Sequence, residues 1–162
     1  SRYEEPLHST HLTAPEVFTE QLAREKGREV FERIGENKLV LAADTVGIIA
    51  GEVLEKPKDR GDAKRMLKLL SGRTHTVLTA LALYIPKRPL PLLEQVETAV
   101  TFSALSDDDI DRYLDGGEYT DKAAAYAIQG KASIFVEKIE GDYFNVVGLP
   151  IATVWKMLKQ RS

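Results

Sequence analysis

The sequence contains no cysteine. Disulfides, thiol nucleophiles and cysteine-ligated metals are therefore excluded, and with them a disulfide-stapled secreted domain. A dominant charge is missing too. The 22 Lys and Arg nearly balance the 25 Asp and Glu, leaving a net charge of −3 and a pI near 5.7. Without a global basic field, binding to a nucleic-acid polymer is not expected. No apolar run approaches the roughly 20 residues that span a bilayer, so no membrane partner is expected. The phosphate-cradling patterns GxxxxGK[ST] and GxGxxG are absent, as are HExxH and GxSxG. P-loop and Rossmann nucleotide sites, zincin metal sites and serine hydrolases are thus disfavoured. The opening "SRYEEPLHST" has neither an apolar signal core nor an Arg-rich transit pattern, and a cytoplasmic location is the default expectation. Of the three histidines, His8 and His11 lie in the polar opening "SRYEEPLHSTHL" and read as solvated.

What remains is a globular composition, 43% hydrophobic and 29% charged over 162 residues. That length buries a core without staples. "TAPEVFTEQLAREKGREVFERIGEN" reads as a helix, with Thr13 as N-cap, Glu16 as its capping-box partner and Pro15 in the first turn. "KLVLAADTVGIIAGEVL" reads as strand, site and strand, with a turn at Gly51. A helix follows over "DRGDAKRMLKLLSG", capped by Asp59 or Asp62. "THTVLTALALYI" and "VETAVTFSAL" read as a strand hairpin joined by a proline-rich excursion. "SDDDIDRYLDGG" has the capping box Ser106–Asp109 and a Gly-Gly stop. "IEGDYF" is a hairpin signal, and "LPIATVWKMLKQR" closes the chain as a helix. Strands and helices mixed in this way predict an α/β or α+β fold with a mixed sheet.

One carboxylate, Asp44, interrupts the apolar run "LVLAADTVGII". A lone charge there loses hydration unless it is paired. It caps a strand-end turn, or it is a metal ligand or general base at the C-terminal end of a strand. Lys56 precedes Pro57 and by itself reads as a surface lysine. Asp121-Lys122 follows a Gly-rich stop. Gln129 carries a donor and an acceptor on one amide, which suits a nucleobase edge, or else it faces solvent in a turn. Asp142 and Asn145 read as a hairpin turn before a helix start.

The ordered blocks "AADTVG", "GEVLEKPKDRGDAKRMLKLLSGRTHTVLT", "GEYTDKAAAYAIQG" and "IEGDYFNVVGLP" resemble the Maf family of nucleotide pyrophosphatases. The upstream "LAREKGREV" is similar to that family's Leu-Ala…Lys helix block. The resemblance implies an elongated, curved mixed sheet flanked by helices, with two lobes around a cleft, as in the inosine-triphosphatase group. It implies hydrolysis of a nucleoside triphosphate to the monophosphate and pyrophosphate, with a divalent cation, Mg²⁺ or Mn²⁺. Asp44 then matches the proton acceptor for the attacking water and contributes to the metal region. Glu5 is the matching upstream acidic residue of that region, with Glu4 adjacent. Lys26 and Lys56 would face phosphate oxygens. Thr45 and Gln129 match positions linked to base selection, in the pattern of the subgroup acting on dTTP and UTP. Modified pyrimidine nucleotides are a further substrate class, and a homodimer is implied. The alternatives are another base preference, CTP or 7-methyl-GTP, and a non-catalytic nucleotide-binding or division-regulating protein. The family's leading Ser-x-Ser-Pro-Arg-Arg block does not stand before Ser1, so residues 1–162 are expected to be one N-terminally incomplete domain. Glu55, Ala80 and Ala124 occupy positions where the family usually has glycine. Alanine there is costly only where the backbone needs a positive φ.

Overall fold

A computed structural model describes residues 14–161. The expected Thr13 cap, the polar opening stretch and Glu5 lie outside the described residues. Five strands form one sheet in the order β2-β1-β3-β4-β5, with β1 Val40–Ile49, β2 Glu52–Leu54, β3 Thr74–Tyr84, β4 Leu92–Phe102 and β5 Val136–Glu140. Among the described residues all four pairings are antiparallel, where the resemblance implied a mixed sheet. The α/β class itself is as expected. Helix α1 is Pro15–Arg33, α2 Arg60–Leu70, α3 Asp107–Asp115, α4 Tyr143–Val147 and α5 Ile151–Gln160.

The layering follows from strand alternation. In β1 and β3, residues paired in register point to the same face. Val40, Ala42 and Asp44 stand opposite Tyr84, Ala82 and Ala80. Val40, Ala80, Ala82 and Tyr84 cluster with Ala23 and Phe31, so this face is the one that α1 covers. The other face carries His75, Val77 and Thr79 of β3. Val77, Val100 and Phe102 pack there with Leu67 and Leu70 of α2 and with Ile110 and Leu114 of α3. Farther along the same face, Leu81 and Leu83 pack against Met157 of α5.

Local chemistry sets the boundaries. Pro15 occupies the first turn of α1 and Ala14 is its N-cap, without a side-chain cap. The β1–β2 turn uses Ala50 and Gly51, both at positive φ (49° and 78°), the geometry that matches strand twist in a two-residue hairpin. Asp59, not Asp62, caps α2, accepting from the Asp62 amide at 2.8 Å. Ser106 and Asp109 form the full capping box of α3. Ser106→Ala removes one half of that box and is expected to cost about 1 kcal/mol. In a thermal melt that is a Tm lower by roughly 2–4 °C for a domain of this size; an unchanged Tm would count against the cap.

The hairpin expected at "IEGDYF" does not form. Asp142 instead accepts hydrogen bonds from the amides of Phe144 (2.8 Å) and Asn145 (3.3 Å), and so starts α4. The same side chain suits an Asx turn or a helix cap, and the helix took it. Asn145 is fully buried. Its Nδ2 is shared between the carbonyls of Val77 and Val96 (both 3.1 Å) and the Thr98 hydroxyl (3.0 Å). That side chain pins α4 to the sheet.

Candidate active site

Asp44 is the fifth of the ten residues of β1, in mid-strand rather than at a strand end. The strand-end expectation belongs to parallel sheets, whose crevices open beyond the carboxyl ends of the strands. Here the opening is lateral. β2 pairs only with Gly47, Ile48 and Ile49, so the edge of β1 from Val40 to Val46 has no second strand neighbour among the described residues. A cleft of about 250 Å³ lies at this edge and is lined from both faces of the sheet. Asp44 enters it from the α1 face, and Thr45 from the other, as alternation requires.

The Asp44 carboxylate has a partner on α1. Lys26 Nζ donates to Asp44 Oδ1 at 2.5 Å, with side-chain exposures of 23% and 10%. The helix delivers it through its buried stripe, Phe18, Leu22, Ala23, Gly27 and Phe31. Gly27 sets the approach. A Cβ there would lie 2.6 Å from Tyr84 Cε2 and 3.0 Å from Ala42 Cβ. Only glycine lets α1 sit this close to β1 and β3, and Lys26 is the adjacent residue. Tyr84 in turn donates its hydroxyl to the Arg24 carbonyl at 2.6 Å, tying helix to strand.

Lys56 is exposed and lines the same cleft, as do Asp121 and Lys122. Thr45 lines it too. Its hydroxyl lies 2.8 Å from that of Thr79, its register partner on β3, which is fully buried. Gln129 is exposed and is not among the cleft-lining residues. Val146, Val147 and Gly148, held by the Asn145 pin, form the far wall.

The wall opposite β1 is strained. Asp121, Ala124 and Ala125 have φ of 62°, 59° and 68°. Left-handed backbone costs an L-residue roughly 1–2 kcal/mol each. Ala124 is thus one of the glycine positions where alanine is costly; Ala80, in the extended backbone of β3, is not. The strain is held by packing. The Ala124 amide donates to the Glu55 carbonyl at 3.2 Å, and a Cβ at Gly47 would lie 2.8 Å from Ala124 Cβ. Glu55 directly precedes Lys56, so this bond joins the two lysine-bearing walls.

Sequence reasoning singled out Asp121-Lys122 without a role. It missed Thr79, and it missed His75 and Tyr126 as a pair. His75 Nε2 lies 2.7 Å from the hydroxyl of Tyr126, which lines the cleft. Burial lowers the His75 pKa to about 4 and pushes the Tyr126 phenol up, so both are neutral near pH 7.

Asp44 and Asp121 present hard carboxylate oxygens, the donor type that suits Mg²⁺ or Mn²⁺. Among the described residues no three Asp, Glu or His cluster as a closed cage. An ion carried largely by substrate phosphates needs only one or two carboxylates, and the donor set fits that case. A larger groove, about 720 Å³, lies between α1 and residues 84–91. It mixes Arg24, Arg28 and Arg88 with Glu20, Glu25 and Glu32 and contains none of the converging groups above.

The family model described as Maf-like protein matches residues 1–161. The chain belongs to the Maf-like family. Among curated relatives, this Maf-like chain is 48% identical to the dTTP/UTP pyrophosphatase of Caldanaerobacter subterraneus subsp. tengcongensis over 146 residues, covering 90% of this chain and 70% of that protein. It is 49% identical to the dTTP/UTP pyrophosphatase of Thermococcus gammatolerans over 143 residues, 88% of this chain and 75% of that protein. The protein of the same name from Alkaliphilus oremlandii is 46% identical over 151 residues, 93% of this chain and 78% of that protein. No helix among the described residues is long and apolar enough to cross a membrane.

Proposed function

We propose that this Maf-like chain hydrolyses dTTP and UTP to the monophosphate and pyrophosphate. The observation that carries the reading is convergence: Lys26, Asp44 and Lys56 come from α1, β1 and the segment after β2 into one cleft. The names of the relatives supply the substrate class.

A triphosphate brings several negative charges to this cleft. Lys26 and Lys56 supply fixed positive charge beside its phosphate oxygens, where further charge develops in the transition state. Asp44 orients a water and accepts its proton as the water oxygen bonds to the α-phosphorus; the α–β anhydride bond breaks and pyrophosphate leaves. Asp44 and Asp121 of this cleft, with Glu5 as the further carboxylate that the resemblance implies, would hold a divalent cation. When bound, that ion neutralises part of the phosphate charge. The Thr45 hydroxyl, 2.8 Å from that of Thr79 at the cleft, is proposed to select the base; Gln129, which the resemblance links to the same role, lies outside the cleft lining.

The direct test is a nucleotide panel with Mg²⁺. Equimolar pyrophosphate and monophosphate, without orthophosphate, are expected from dTTP and UTP. Pyrophosphate mainly from CTP or 7-methyl-GTP would overturn the base assignment, and nucleotide binding without any pyrophosphate would overturn the enzymatic reading.

A further inference from the structure

We infer that His75, acting through Tyr126, is a positioning residue that holds the strained cleft wall Asp121–Ala125 in its working shape. This rests on the reading of the cleft as the nucleotide site.

Residues at left-handed φ persist only where their surroundings over-determine them. Two local bonds close the turn itself: Lys122 N to the Tyr119 carbonyl (3.2 Å) and Ala125 N to the Lys122 carbonyl (3.0 Å). Neither fixes where the turn sits against the sheet. That task falls to the Ala124–Glu55 bond, at the long end of the normal range, to the close seat of Ala124 over Gly47, to the Ala127 amide, which donates to the Tyr113 hydroxyl at 3.2 Å, and to Tyr126. Tyr126 follows Ala125 directly, with extended backbone (φ −142°, ψ 155°) that sends its ring under the sheet. There the hydroxyl meets His75 Nε2 at 2.7 Å, the shortest of the contacts anchoring this wall.

The bond sits in a closed ring cluster. His75 and Tyr126 meet edge to face at 5.4 Å and 87°, Phe102 and Tyr126 at 4.8 Å and 67°, and His75 and Phe102 at 5.1 Å and 90°. His75 is 2% exposed, and its Nδ1 is buried with no hydrogen-bond partner. An imidazole with one orphaned nitrogen is a poor choice for packing alone, because an apolar ring would fill the space without that cost. What histidine adds is a second polar atom matched to the Tyr126 hydroxyl. His75 also lies two residues from Val77, which lines the cleft. A shift of the Tyr126 ring therefore moves the cleft floor and the Asp121–Lys122 wall together.

Tyr126→Phe removes one oxygen and keeps the ring. Losing one buried hydrogen bond corresponds to about a three- to tenfold change in an equilibrium. Two readouts are expected from the full chain. Amide exchange across residues 121–126, followed by NMR or mass spectrometry without substrate, quickens by about that factor. In steady-state dTTP hydrolysis, KM rises by about the same factor, and the loss in kcat/KM is carried by KM. Unchanged exchange would overturn the pin. Faster exchange with KM unmoved would overturn its link to the cleft. Were the wild-type chain to release no pyrophosphate, the enzymatic reading would fail, while the exchange comparison would still decide the pin. His75→Gln, whose amide reaches the hydroxyl, is expected to lie nearer wild type than His75→Phe in both readouts; equal behaviour would reduce His75 to packing.

Discussion

Asp44→Asn is expected to lower kcat for dTTP by about three orders of magnitude or more, with nucleotide affinity largely kept. The substitution is nearly isosteric, so the shape of the cleft edge survives. Two things go: the proposed proton acceptor, typically worth about 10²–10⁴ in rate, and a fixed charge at the proposed reacting centre, worth about 10²–10³. These effects belong to one residue and are not independent, so their product is an upper bound. The folded state also loses a charge-assisted hydrogen bond, of order 1.5–3 kcal/mol when desolvated. Lys26 keeps 23% of its side-chain surface, so water replaces part of that loss and the lower end applies. Steady-state pyrophosphate release, calorimetric nucleotide binding and a thermal melt separate these contributions. A folded variant with near-wild-type kcat would remove Asp44 from the chemistry. A variant that loses both kcat and the melting transition would reduce it to a structural ion pair.

Asp44 also shows how far the sequence reaches. A lone carboxylate in an apolar run demands a partner, and that inference is local. The identity of the partner is not. Lys26 lies eighteen residues upstream on a helix, and it is brought to Asp44 by an alanine-lined strip of sheet and by the bare Cα of Gly27. The helices were legible because their caps and apolar faces are written within a few residues, as at Ser106–Asp109. The hairpin read into "IEGDYF" failed for the converse reason. Asp142 offers the same oxygen to a turn or to a helix start, and the choice was made by Asn145 reaching carbonyls on β3 and β4. The strained wall was illegible because alanine carries no mark of a left-handed backbone. His75 and Tyr126 were missed because 51 residues separate them and neither sits in a motif. Gln129, singled out for its amide and then by resemblance, stands exposed, as its solvent-facing alternative had it, and not in the cleft lining.

Gly27→Val is expected to damage stability and turnover together, although Gly27 touches no proposed reacting group. Helix propensity alone favours the change slightly, because glycine is the poorer former by a few tenths of a kcal/mol. Packing opposes it. The new Cβ would stand 2.6 and 2.9 Å from two ring carbons of Tyr84 and 3.0 Å from Ala42 Cβ. Tyr84 cannot swing away freely, since its hydroxyl is bound to the Arg24 carbonyl and its ring packs on Phe31 at 5.5 Å. Relief must come from α1 moving off the sheet. Overpacking of this kind costs typically 1–3 kcal/mol, or a Tm lower by roughly 2–10 °C for a domain of this size. The same movement carries Lys26, the preceding residue, away from Asp44 and from the proposed phosphate positions. A displacement near 1 Å can cost about 10²-fold in rate, so at least a tenfold fall in kcat/KM is expected below the new Tm. A second substitution tests the mechanism. Tyr84→Leu in the Gly27→Val background removes the ring that blocks the helix. It should recover turnover more than it recovers Tm, because the helix can settle back while the Tyr84 hydroxyl bond stays lost. Recovery of neither would mean that glycine at 27 serves something other than the approach of α1 to the sheet.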